Sequence, residues 1–223
     1  MRSRLLAEGL GTGLLLFLVV GSGIAAQSLS QDEGTQLFSH AVVVGLGLAA
    51  LIAMFQTISG SHFNPAVTLA FWRTGDLSSG DALRYVAAQL GGAILGVIAA
   101  NVTFGEAAIA VSGTVRYGVG LAMAETIGTF VLVLSILLLV ATSRAHLVPA
   151  VVGAWAAAIV FATASTGFAN PAVTVARVFT DTYTGIAPES VAAFVGAQLL
   201  AGLVAALAVR VLLPKPIPVE TTT

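Results

Sequence analysis

Two short runs hold most of the chemistry this chain has to offer. Asn64-Pro65-Ala66-Val67-Thr68 and Asn170-Pro171-Ala172-Val173-Thr174 are the same five-residue motif written twice. Asn caps a helix through its side-chain oxygen, which leaves its NH2 group free to donate. Pro fits the first helical turn, where its missing N–H costs nothing. Each motif therefore predicts a helix start with an amide donor at its tip. Two carboxylates, Glu8 and Glu125, sit in long apolar runs, each within an Ala-Glu-x-x-Gly-Thr motif. His40, His62 and His146 are far apart and show no metal-ligand spacing, and the absence of cysteine excludes disulfides and thiolate metal sites. No Ser-His-Asp, Cys-His or paired-carboxylate arrangement is visible, so neither an enzyme nor a metal or cofactor is expected.

The elements that position these groups must lie in lipid. Of the 223 residues, 57% are hydrophobic and 9% charged, against about 25% charged in soluble domains; the mean hydropathy is +1.00. Apolar runs predict spans near 5–26, 37–59, 82–103, 118–141, 148–165 and 190–213. Gly92 and Gly96 mark a small-residue seam where two spans pack closely. The segments 64–73 and 170–179, each opening on Asn-Pro, are too short to cross a bilayer. Arg2 and Arg4 followed by an apolar run ending in Gly23-Ile24-Ala25-Ala26 loosely resemble a secretion signal. The length of the run, Glu8 within it and its recurrence in the second half favour a span.

The halves repeat. Ala7-Glu8-Gly9-Leu10-Gly11-Thr12 answers Ala124-Glu125-Thr126-Ile127-Gly128-Thr129, the Asn-Pro-Ala motifs answer each other, and Ala88-Gln89-Leu90 answers Ala197-Gln198-Leu199. Each half has three spans, so the second inserts upside down, an arrangement that encloses a pathway at the midplane. The expected organisation is one domain over 1–223, with inverted repeats at about 1–110 and 117–213 and a cytoplasmic tail at 214–223. With the N-terminus inside, Arg2, Arg4, Arg73, Arg84, Arg144, Arg210 and Lys215 lie on or near the cytoplasmic side, and only Arg116 and Arg177 lie outside. The positive-inside rule then places both termini in the cytoplasm. A net charge of −1 favours no nucleic acid.

Half-helices that start within the membrane must border protein or water. Two of them meeting tip to tip would aim two positive dipole ends at the centre, repelling cations and protons. The amides of Asn64 and Asn170 would donate to a passing oxygen and turn its hydrogens outward. Carbonyls of 60–63 and 166–169 would form an acceptor ladder.

These motifs, with Ser59-Gly60-Ser61-His62-Phe63 before the first and Ala88-Gln89-Leu90-Gly91-Gly92, resemble the aquaporin, or major intrinsic protein, family over nearly the full chain. The resemblance implies an all-α membrane protein: six transmembrane helices and two re-entrant half-helices in a right-handed bundle. It also implies one pore per subunit and a homotetramer, with Glu8 and Glu125 as structural carboxylates beneath the half-helices. By distance from the two Asn residues, the family's narrowest ring falls on Val44, Ala158, Gly167 and Val173. The family arginine is replaced by Val173; Arg177, one helical turn on, would reach the outer mouth or cap the half-helix. Phe63 and Phe168 are expected to pack, His62 to line the inner vestibule and His146 to be a surface residue.

A small, apolar, uncharged ring lowers the desolvation cost of solutes with carbon or metalloid bodies. The expected function is a passive channel for water, glycerol-like polyols and undissociated metalloid acids such as arsenous acid, excluding protons. The second motif resembles bacterial members linked to arsenic resistance, and a bacterial inner membrane is the expected location. The alternatives are a water-selective channel and an ion channel lacking the filter arginine.

Overall fold

Runs of apolar residues long enough to span lipid close their own backbone hydrogen bonds as helices, and six do so among the described residues. The computed structural model describes residues 1–213; the expected tail, 214–223, lies outside the described residues. In chain order the helices are α1 (Arg2–Leu29), α2 (Glu33–Ser59), α3 (Pro65–Thr74), α4 (Ser79–Thr103), α5 (Val119–Ala141), α6 (Val148–Ala162), α7 (Pro171–Ala176) and α8 (Pro188–Leu212). A 3-10 turn at Ala145–Leu147 lengthens α6, and another at Arg177–Phe179 continues α7. Helices α3 and α7 are the two half-helices; the other six are the spans. The described part of the chain therefore starts and ends on one face of the bundle, here the terminal face, and the α1–α2 turn marks the far face.

Polarity is distributed as lipid demands. Glu8, Thr12, Gln89, Glu125, Thr129 and Gln198 have no exposed surface, while Leu6, Leu46, Leu83, Val119 and Leu200 are more than half exposed. Helix α1 packs chiefly on α4, α5 on α8, and α2 joins the halves by packing on α6. Glycine makes the first and last of these contacts close. A Cβ on Gly92 would stand 1.9 Å from the Gly9 carbonyl oxygen, and one on Gly96 2.0 Å from that of Gly13. Gly45 and Gly153 meet in the same way across α2 and α6, at 2.6 and 2.5 Å from each other's carbonyl oxygen. On the far face the long α4–α5 connection is tied to the segment after α7. Ser112 N donates to Val178 O (2.9 Å) and Ala187 N to Thr114 O (2.7 Å). Asn101 donates to Phe179 O (3.1 Å) and accepts from Thr180 Oγ1 (2.8 Å).

Candidate functional site

The half-helices start where the sequence puts them. Asn64 and Asn170 are N-caps with extended backbone, and their Oδ1 atoms accept from Ala66 N (2.8 Å) and Ala172 N (2.9 Å). Their NH2 groups cross over. Asn64 Nδ2 donates to Ala169 O and Asn170 Nδ2 to Phe63 O, both at 2.8 Å. Each NH2 has two hydrogens; one clamps the opposite loop and one remains for the central cavity, which both residues line. The expected free amides are thus half committed to holding the two tips together.

Each carboxylate sits beneath a loop. Glu8 Oε1 accepts from Ser59 Oγ (2.6 Å) and His62 N (3.0 Å), and Oε2 from Phe63 N and Gln89 Nε2, both at 2.8 Å. Glu125 accepts from Phe168 N (3.0 Å), Ala169 N (2.8 Å) and Gln198 Nε2 (2.6 Å). Every partner is a donor, so each carboxylate is an acceptor on all used sides. The loops they hold are contorted. Ser61, Phe63, Thr166 and Ala169 have φ between 47° and 59°, with Gly60 at 88° and Gly167 at 54°. Residues 60–63 and 166–169 all border the cavity.

That cavity runs along the bundle axis and holds about 70 Å³, room for roughly five waters at ~10–15 Å³ each. Its wall is apolar along one side, with Leu15, Val19, Leu132 and Ile136, and polar at the half-helix tips. Phe63 and Phe168 are buried, their rings edge-on to Phe55 and Phe194, and also border the cavity. Towards the terminal face, His62 lines both this cavity and a basin that Arg4, Gln56 and Asp76 also border. Its ring stacks on Phe71 with centroids 4.7 Å apart. His146 is exposed on the same face.

Of the four residues expected in the ring, Val44, Gly167 and Val173 line the cavity and Ala158 does not. Ala158 is exposed on the outer side of α6, whereas Ala156, Ile159 and Val160 face inward. Counting along the chain fixes depth but not direction. At 100° per residue, two steps from Ala156 turn a side chain to the opposite face. Ile159 lines the cavity in place of Ala158, and a Cβ on Gly167 would stand 2.6 Å from the Ile159 Cγ1.

The charged residue nearest these positions is Arg177, which the sequence placed at the outer mouth or at the half-helix cap. Arg177 is buried and lines the cavity. Its Nε donates to Thr184 O, and its guanidinium carbon lies 3.4 Å from the Phe168 ring centroid. His40, to which its sequence context assigns no role, lines the cavity as well. Helical spacing was the available signal for both. His40 is one turn before Val44 on α2, and Arg177 one turn after Val173, so each shares the face of a ring residue.

Residues 1–169 match the family model described as Major intrinsic protein. Aquaglyceroporin AqpS of Rhizobium meliloti (strain 1021) is 43% identical over 213 residues, covering 96% of this chain and 91% of the relative. The glycerol uptake facilitator protein of Escherichia coli (strain K12) is 36% identical over 93 residues, 42% of this chain and 32% of that protein. Among solved structures, the aquaglyceroporin from Plasmodium falciparum matches with a TM-score of 0.73 at 20% identity, over 95% of this chain and 98% of that one. At that identity the likeness concerns fold alone.

Proposed function

The chain belongs to the major intrinsic protein family and is a passive membrane channel, not an enzyme; we propose that it passes water, glycerol-like polyols and undissociated metalloid acids such as arsenous acid, and excludes protons. The observation that carries this reading is the apolar ring of Val44, Gly167 and Val173 just beyond the Asn tips. A hydroxylated solute crossing it keeps its hydroxyls on one wall, at the asparagine amides and loop carbonyls. Its carbon or metalloid body slides along Leu15, Val19 and Ile136 on the other. Water gains nothing from that apolar wall, so the ring favours the larger solute in relative terms. Proton relay fails at the centre. Two amide donors hold one oxygen, and its hydrogens then point away along the channel in both directions. The same proposal includes a homotetramer in a bacterial inner membrane with both termini in the cytoplasm.

Purified protein in vesicles, followed by light scattering after water and glycerol gradients, tests the solute range. Wild type is expected to pass both. Val173→Arg brings a long donor side chain into the ring and should lower glycerol flux relative to water flux by at least tenfold. Wild type that passes water and rejects glycerol would favour the water-selective alternative. A steady ionic conductance from wild type in a planar bilayer would favour the ion-channel alternative.

A further inference from the structure

Beyond the apolar ring, one helical turn towards the far face, the cavity acquires a second and polar ring from His40 and Arg177. Both side chains are almost fully buried, at 4% and 3% exposure, yet both line the cavity. Each is fixed from behind. Arg177 lies against the Phe168 face and donates Nε to the Thr184 carbonyl, and its own carbonyl accepts from Ile186 N. His40 Nδ1 is 2.8 Å from Ser22 Oγ, and its ring meets Tyr183, the neighbour of Thr184, edge-on at 5.9 Å. What is left over faces the cavity. No acceptor among the described residues takes the terminal N–H groups of Arg177, and they are not among the buried polar atoms that lack a partner. The same holds for His40 Nε2. Ser22 Oγ has a single hydrogen and lies 3.2 Å from the Val19 carbonyl. With that hydrogen on Val19, Nδ1 must donate and Nε2 presents a lone pair.

We infer that His40 and Arg177 form a displaced selectivity station, a fixed cationic donor beside a neutral acceptor, that admits small neutral hydroxylated solutes and turns back cations. A hydroxyl group both accepts and donates, so it can satisfy Arg177 and His40 together as it sheds water before the apolar ring. A cation meets a desolvated guanidinium in a narrow low-dielectric passage, where repulsion is far stronger than in water. The charge absent at Val173 is thus supplied from Arg177, and the apolar ring stays free to accept larger bodies. This inference rests on the channel reading above.

The test exploits the absence of native cysteine. His40→Cys places one thiol in the station and leaves Arg177 in place. A negatively charged methanethiosulfonate reagent should modify it at least tenfold faster than a positively charged one, after correction for their rates on a free thiol, and modification should block water flux. Equal corrected rates, or modification without block, would overturn the station. In a second arm, sodium leak is measured per unit of water flux in vesicles holding a sodium-sensitive dye. Arg177→Gln should leak at least tenfold more than wild type and Arg177→Lys should not; a tight Arg177→Gln that passes water would overturn the charge barrier. His40→Ala should lower glycerol flux relative to water about threefold, and an unchanged ratio would remove His40 from the station. Wild type without glycerol flux would instead defeat the proposed solute range, while the two charge readouts would still stand or fall by themselves.

Discussion

A carboxylate within a bilayer is expensive unless its lone pairs are used, and Glu125 uses its own on two successive backbone N–H groups and one side-chain amide. Glutamine at this position keeps one oxygen and turns an NH2 group towards donors. At least one buried N–H of the 166–169 loop then loses a charged acceptor, which costs about 2 kcal/mol. Glu125→Gln should therefore lower the thermal unfolding midpoint in detergent and reduce glycerol flux, and Glu8→Gln should do the same through the 60–63 loop. A variant with unchanged midpoint and flux would mean that the loop holds its left-handed turns without the carboxylate. At this scale the sequence was legible where the residue type dictates the contact. Asn before Pro announced a cap, while the role of the matched glutamates came from their symmetric placement together with the family resemblance. It was illegible where only orientation decides. Ala158 and Ile159 differ by one position and by a third of a turn, and nothing in the alanine run says which faces inward.

Between helices, the decisive quantity is the distance at which two backbones can pass. Gly91 and Gly96 are both in α4 but face different surroundings. A Cβ on Gly96 would lie 2.0 Å from the Gly13 carbonyl oxygen, and one on Gly91 meets nothing within 4 Å. Gly96→Val should force α1 away from α4 and carry Glu8 off its loop, so that the protein is lost as aggregate or unfolds far earlier on heating. Gly91→Ala should be neutral or slightly stabilising, since alanine is the better helix former by about 0.8–1.0 kcal/mol. Size-exclusion profiles and thermal midpoints of the two variants decide; equal behaviour would mean that the seam can open without penalty. The spans were readable because length and apolarity alone define them, and the Gly92 and Gly96 seam because small residues permit close approach. The connections were not. Helix α6 stops at Ala162, short of the 165 that its apolar run suggested, because Thr163–Ala169 must unwind to present backbone to the cavity. Phe63 and Ala169 are not residues that seek positive φ, so their turns are imposed by the glutamates and asparagines that bind them.

The whole molecule is two similar halves set in opposite directions, and such a chain needs something to choose its orientation in the membrane. Arg2, Arg4, Arg73, Arg84, Arg144 and Arg210 all belong to the terminal face. Among the described residues, only Arg116 and Arg177 are basic on the far side, and Arg177 is buried. A bias of that size predicts a single orientation with the terminal face in the cytoplasm. It also assigns the two mouths: solutes arriving from outside meet His40 and Arg177 first, and those leaving pass the basin beside His62. Single cysteines on the natural cysteine-free background test this directly. Gly113 is exposed in the far-face connection with open space around it, and His146 is exposed in the turn between α5 and α6. In intact cells a membrane-impermeant maleimide should label Gly113→Cys and spare His146→Cys, which should become reactive only after lysis. The reverse pattern would put the arginine-rich face outside, and the polar station would then guard the cytoplasmic mouth. Partial labelling of both would mean that the halves insert either way, and that the arginines are too few to break the symmetry of the repeat.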